Sequence, residues 1–266
     1  MNPTCKKRMG AIRLESMKVV AQEEIAPAIF ELVLEGEMVE AMRAGQFLHL
    51  RVPDDAHLLR RPISISSINK DKKQCHLIYR IEGAGTAIFS TLRQGDTLDV
   101  MGPQGNGFDL SDLDNQSQVL LVGGGIGVPP LLEVAKELHA RGVTVVTVLG
   151  FATKDAVILE TELAQYGQVF VTTDDGSYSI KGNVSVVIND LDSQFDAVYS
   201  CGAPGMMKYI NQTFYDHPRA YLSLESRMAC GMGACYACVL KVPDSETVSQ
   251  RVCEDGPVFR TGTVVL

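Results

Sequence analysis

Four cysteines stand within the last 37 residues in the order Cys230-x4-Cys235-x2-Cys238-x14-Cys253, and few folds tolerate that arrangement. Residues 222–266 carry too little apolar sequence to build a core of their own, so a segment this short needs a metal centre to hold it together. The other three cysteines, Cys5, Cys75 and Cys201, are scattered. Near the start, Lys6, Lys7 and Arg8 are followed by Glu15 and Lys18, which interrupt the apolar run that a secretory signal requires. The chain therefore reads as cytoplasmic, where thiols stay reduced and clustered cysteines point to metals rather than disulfides.

The residues between the first three cysteines (Gly231, Met232, Gly233, Ala234, Ala237) are mostly small, which lets backbone N–H groups approach the sulfurs. A two-iron cluster takes four thiolates, three of them from one short loop. The first three positions match the plant-type [2Fe–2S] spacing, while the fourth stands closer in sequence than is usual there. Cys230, Cys235, Cys238 and Cys253 are accordingly the candidate metal ligands. Structural zinc also takes four cysteines, usually from paired short knuckles, whereas this chain has a single Cys-x2-Cys. Four free buried thiols are the remaining reading, at odds with so glycine-rich a segment.

The 266 residues are 45% hydrophobic and 21% charged, enough for one large domain or two modest ones. A net charge of −8 lacks the basic footprint of a nucleic-acid binder. The longest uncharged run, Asn115–Leu132, holds four Gly and two Pro among 18 residues, which argues against a membrane span. Short runs at Met17–Glu24, Ala28–Leu34, Phe47–Val52, Pro62–Ser66, Cys75–Ile81 and Thr97–Met101 read as strands, with one helix over Thr86–Arg93. From Gln118 the rhythm changes to buried strands (Val119–Val122, Val143–Leu149, Val169–Thr172, Ala197–Ser200) alternating with helices, which implies a parallel sheet. The expected fold is an antiparallel β-barrel domain over 17–112, an α/β parallel-sheet domain over 113–221 and a small C-terminal iron–sulfur segment over 222–266. The last of these ends in a strand-like Gly262–Leu266, and residues 1–16 form a loose N-terminal extension.

Arg61-Pro62-Ile63-Ser64 falls where a barrel strand begins. Pro62 suits a strand start, Arg61 offers a forked cation for a diphosphate, and Ser64 adds a hydroxyl on the face of Pro62. Ile78-Tyr79-Arg80 ends a later strand with an aromatic ring beside a second guanidinium. Gly83-x-Gly85-Thr86 then opens the short helix, whose free N–H groups favour an anion. Each piece alone could be an ordinary turn or a solvated charge; together they suggest a cofactor carrying a diphosphate. Arg61-Pro62-x-Ser64 followed by Gly85-Thr86 resembles the flavin-binding barrel of the ferredoxin–NADP reductase superfamily. That resemblance implies FAD, with Arg61, Pro62, Ile63 and Ser64 along its diphosphate and isoalloxazine and Gly85 and Thr86 at the diphosphate. It also implies that Ile78, Tyr79 and Arg80 lie on the second flavin-contacting strand.

Gly123-Gly124-Gly125-Ile126-Gly127-Val128-Pro129-Pro130 joins the first parallel strand to its helix without matching the Rossmann fingerprint, and could serve tight packing alone. It resembles the superfamily's pyridine-nucleotide turn, as does Cys201-Gly202-Ala203-Pro204-Gly205-Met206, whose cysteine would lie beside the nicotinamide. Cys201 could equally be core. Asp174-Asp175 would repel a 2′-phosphate, favouring NAD(H) over its phosphorylated form, or could be plain turn residues.

Nicotinamide exchanges electron pairs and an iron–sulfur cluster single electrons, and a flavin deals with both, so the three sites together form a converter in which the cofactors do the chemistry. No acid–base dyad is apparent, the five His are scattered, and no catalytic residue is assigned. The run Glu225–Cys238 and the order barrel, nucleotide domain, cysteine tail resemble the electron-transfer subunits of class B dihydroorotate dehydrogenases from Met17 onward. That resemblance implies a partner FMN-containing catalytic subunit that oxidises dihydroorotate to orotate in pyrimidine biosynthesis, with electrons passing through [2Fe–2S] and FAD to NAD. Two copies of each chain would form a heterotetramer. A dihydroorotate-oxidising barrel needs about 250 residues, and none are spare here. A similar subunit of a sulfide dehydrogenase, a hydrogenase or an NADPH–ferredoxin transhydrogenase is an alternative, and a zinc-stabilised regulator without redox activity is another.

Overall fold

The computed structural model describes residues 11–191 and 194–266. Six antiparallel strands close a barrel in the order β1-β2-β5-β4-β3-β6. They are β1 (Arg13–Ala26), β2 (Ile29–Glu35), β3 (Phe47–Leu50), β4 (Arg61–Asn69), β5 (Gln74–Arg80) and β6 (Thr97–Gln104). Alternate side chains point inward: Met17, Leu32, Leu34, Leu48, Leu50, Ile65, Leu77 and Val100 meet in one core, which Phe89 plugs from helix α1 (Ala84–Phe89). The helix stops at Phe89 rather than Arg93, because the hydroxyls of Ser90 and Thr91 turn back onto the carbonyls of Ala87 and Ile88. Strand β1 starts at Arg13, ahead of the expected Met17. Arg13 to Lys18 pair with β6, and the Glu15 carboxylate accepts the N–H groups of Glu37 and Met38. The expected extension over 1–16 thus overlaps this strand, and its first ten residues lie outside those described.

The second layer runs β7 (Gln118–Gly124), α2 (Pro130–Ala140), β8 (Thr144–Phe151), α3 (Glu160–Ala164), β9 (Gln168–Thr173), β10 (Ile180–Lys181), α4 (Val184–Asp190), β11 (Ala197–Cys201), α5 (Pro204–Thr213) and β12 (Ala220–Ser223). Its strands are parallel and buried on both faces, which explains their unbroken apolar runs. Val119 and Leu121 of β7 face α2 and the barrel, while Leu120 and Val122 face α4 and α5. Helix α2 is tied to the barrel through one residue of β4: Glu133 accepts the N–H of Ile68 at 2.8 Å, and Lys136 donates to the Ile68 carbonyl at 2.6 Å.

The cysteine tail adds the hairpin β13 (Val239–Lys241) and β14 (Ser249–Arg251), then β15 (Val258–Arg260). β15 pairs antiparallel with β12 and closes one edge of the sheet, in the order β10-β9-β8-β7-β11-β12-β15. The expected strand at Gly262–Leu266 is displaced to 258–260. Pairing ends where Thr261 donates to Ala220, and Thr263 then turns back onto Arg260. The tail's small core of Cys238, Val252, Cys253, Phe259 and Val264 takes Phe47 from the barrel, so it does not stand alone.

Candidate functional site

The cysteine loop wraps its sulfurs with backbone donors. The N–H groups of Met232 and Cys235 point at Cys230 Sγ, both at 3.4 Å, and that of Gly233 points at Cys253 Sγ at 3.2 Å. Burial alone would raise the Cys230 thiol, but these N–H groups outweigh it and bring the pKa down to about 7. Cys238 and Cys253 are buried with their sulfurs 3.3 Å apart; burial and the neighbouring thiol push Cys253 up to about 12. The sulfurs fall into two pairs, Cys230 with Cys235 and Cys238 with Cys253. Among the described residues no three ligand-type side chains converge on one point, as a single ion would require. Four sulfurs, two of them met by backbone N–H donors, are a donor set that fits an iron–sulfur cluster.

Side chains outside the loop hold it. Arg251 of β14 donates to the Gly233 carbonyl at 2.9 Å, lies over the Tyr236 ring at 5.0 Å and is fixed by Asp255. Asn106, just past β6, donates to the carbonyls of Glu254 and Asp255 and, through its backbone, of Gly256. Gly231, at φ +66°, presses onto the barrel: a β-carbon there would lie 2.5 Å from His49 Nδ1 and 2.8 Å from Gln104 Oε1. Burial, reinforced by Arg60, lowers the His49 pKa to about 4, so the ring is neutral.

The diphosphate motif comes together at one rim of the barrel. Arg61 opens β4, and its guanidinium crosses Gly85 so closely that a β-carbon would lie 2.8 Å from Nε and 3.1 Å from Cζ. The Thr86 hydroxyl is occupied locally, accepting the N–H groups of Glu82 and Gly83, so it shapes the turn before α1. Ile63 leans on the barrel core, whereas Pro62 and Ser64 alternate outward and stand opposite His49 and Phe47 of β3. The second strand divides differently from expectation. Arg80 is exposed and paired with Glu82, and Ile78 is buried toward the sheet domain. The Tyr79 ring turns into the barrel between Phe30 and Phe89 rather than lying beside the Arg80 guanidinium, because neighbours on a strand face opposite ways.

The two glycine-rich turns meet where the strand order reverses. β7 lies between β8 and β11, and Gly123 stands in register with Cys201, so both turns open at the carboxyl ends of adjacent parallel strands. A crevice at such a switch point is the expected ligand position in an open α/β sheet. Burial pushes the Cys201 thiol up to about 12, which leaves it protonated. Asp175 accepts both the N–H and the hydroxyl of Ser177, so its carboxylate is engaged within its own turn.

Four residues that border or clamp the loop (His49, Gln104, Asn106, Arg251) escape sequence reasoning, since none lies in a motif. Only the interruption of the apolar run Phe47–Leu50 by a histidine hints at one of them.

Residues 225–265 match the iron–sulfur cluster binding domain of dihydroorotate dehydrogenase B, and residues 14–108 match the oxidoreductase FAD-binding domain. Over 255 residues, 96% of this chain and 100% of the relative, the sequence is 94% identical to the electron transfer subunit of dihydroorotate dehydrogenase B (NAD(+)) of Streptococcus pneumoniae (strain ATCC BAA-255 / R6). The chain belongs to this family of electron-transfer subunits. The corresponding subunit of Streptococcus mutans is 63% identical over 253 residues, covering 95% of this chain and 98% of that one. Among solved structures, the NADH-dependent reduced ferredoxin–NADP oxidoreductase superposes with a TM-score of 0.83 at 30% identity, covering 94% of this chain and 89% of its own. Membership makes the chain an oxidoreductase subunit with an FAD-binding barrel and an iron–sulfur segment, and it removes the zinc-stabilised regulator from consideration. Among the described residues no helix is long and apolar enough to cross a membrane.

Proposed function

We propose that this chain carries electrons released by dihydroorotate oxidation on an FMN-containing partner subunit to NAD+, by way of its iron–sulfur and flavin sites, in the cytoplasm. Two copies of each subunit form the working assembly. The division into a barrel over 17–112, a nucleotide domain over 113–221 and a cluster segment over 222–266 is a division of labour, although strand β12 runs across the 221/222 boundary. FAD supplies, when bound, exchange of electron pairs with a nicotinamide and of single electrons with an iron–sulfur centre.

Arg61 and Gly85 form the seat of the FAD diphosphate, a forked cation over a residue without a side chain. Pro62 and Ser64 line the flavin ring, Ile63 between them through its backbone, with Ile78, Tyr79 and Arg80 along the neighbouring strand. For Tyr79 that role belongs to its backbone, and Arg80 must exchange Glu82 for a cofactor oxygen. Thr86 keeps the turn in shape. Cys230, Cys235, Cys238 and Cys253 would hold a [2Fe–2S] cluster, which supplies single-electron transfer. NAD(H) enters over the turns at Gly123 and Cys201.

The observation that carries this reading is the docking of the cysteine loop on the barrel wall: Gly231 rests on His49, and His49 stands opposite Pro62. Single-electron and pair-exchanging sites are thereby neighbours. The exposed rim of that loop, with Met232, Tyr236 and Val239, suits a protein partner that supplies the electrons. The chain purified without its partner should reduce a dye from NADH while leaving dihydroorotate untouched, and adding the FMN subunit should restore orotate formation. Dihydroorotate turnover by the chain alone would defeat the proposal.

A further inference from the structure

The barrel meets the cysteine loop through a patch that nothing in the sequence motifs explains. His49 is fully buried on β3, yet neither ring nitrogen has a hydrogen-bond partner, and the Oε1 atom of buried Gln104 is equally unpaired. A buried polar atom left without a partner is destabilising, so three of them on two neighbouring side chains require a reason. His49 Nδ1 and Gln104 Oε1 lie where the barrel faces the loop. The space a side chain on Gly231 would need is filled by His49 Nδ1 at 2.5 Å, His49 Cε1 at 3.0 Å and Gln104 Oε1 at 2.8 Å. Gly231 follows Cys230 directly, and on the other side His49 is the cross-strand neighbour of Pro62, with Cβ atoms on one face of the sheet. One imidazole thus bridges the start of the ligand loop and the wall assigned to the flavin. Arg60 steadies it from below, donating to the His49 carbonyl at 3.3 Å while its fork grips Asp99.

We propose that His49, with Gln104, is a positioning residue that seats the Cys230 end of the cluster loop against the flavin wall and directs polar atoms at it, so that the barrel sets the surroundings of the cluster. The pair acts as outer-shell support of the kind that fixes metal ligands, here supplied by the neighbouring domain. The alternative, a merely space-filling side chain, would not need nitrogen at this position. The proposal rests on the flavin and cluster reading above, and its own failure is distinguishable from the failure of that reading. Purified wild-type chain without iron or without FAD would overturn that reading and this proposal together.

The test compares the cofactor-loaded wild-type chain with His49→Leu and His49→Asn. Iron and FAD content, the electron paramagnetic resonance g-values of the reduced cluster, its midpoint potential and its rate of iron loss to a chelator are read for each. His49→Leu, of similar volume but without polar atoms, should retain FAD, shift the g-values and the potential, and lose iron about tenfold faster. His49→Asn places an amide near the former Nδ1 and should return all three toward wild type. Should the leucine variant fail to fold, Gly231→Ala decides: its β-carbon must push the loop off His49, and the same spectral and potential shift is expected from the other side of the contact. Wild-type g-values, potential and iron retention in His49→Leu, or in Gly231→Ala, would overturn the proposal.

Discussion

Gly85 shows how a single missing side chain can make a site. The Arg61 guanidinium occupies the volume where its β-carbon would stand, so Gly85→Ala must either tilt α1 or drive Arg61 off the rim. Flavin affinity should fall about tenfold, read by fluorescence as FAD dissociates on dilution; unchanged retention would show that the apposition does not matter. His49 gives a second expectation at this scale. Its ring ionises near 6.5 in the unfolded chain and only at about 4 when buried next to Arg60, so the unfolded state binds the extra proton between those values. The native state should therefore lose stability as pH falls from 6.5 toward 4, by at most about 1.4 kcal/mol per pH unit, with the full contribution present above 6.5. Urea unfolding of the wild type and His49→Leu across that window checks it, and the leucine variant should show the shallower slope. Both residues illustrate what a sequence conceals. Gly85 was legible as part of a motif, whereas His49 looked like one of five scattered histidines because its partner lies 182 positions further along the chain.

At the scale of elements, period-2 and parallel-sheet patterns were legible because they record which faces are buried, and the barrel strands and the core strands of the sheet stand where those patterns put them. Ends were less legible. Helix α1 is cut short by two hydroxyl side chains, and the last strand sits at Val258–Arg260 because its register is dictated by β12, not by the apolar residues at Gly262–Leu266. The cysteine loop was the most legible element, since its spacing is chemistry rather than packing. What spacing could not convey is that Arg251 and Asn106 clamp it from outside. The element is also separable in function. Cys235→Ser, at the exposed candidate ligand, should abolish the reduced-cluster resonance while NADH–dye reduction persists. Loss of both activities together would mean that the loop is needed for the barrel itself.

The whole molecule is two layered bodies joined at a seam, and the seam is polar where least expected. Glu133, almost entirely buried, and Lys136 hold both backbone groups of Ile68, on a strand whose ladder is interrupted by a bulge between Ile65 and Ser67. Glu133→Ala would strand the Ile68 N–H in a dry interface and should cost about 1–3 kcal/mol in urea unfolding, with Glu133→Gln, which keeps an acceptor, costing less. Equal stability of both variants with wild type would show that the seam relies on apolar contact alone. The barrel and the sheet could each be read from the sequence, but not this joint, for Glu133 and Lys136 are spaced like any solvated helical pair.

That joint bears on traffic. Swinging the two bodies apart would pull the Ile68 amide and carbonyl away from Glu133 and Lys136. A ligand entering at the mouth above β7 and β11 should therefore meet a slot of fixed width.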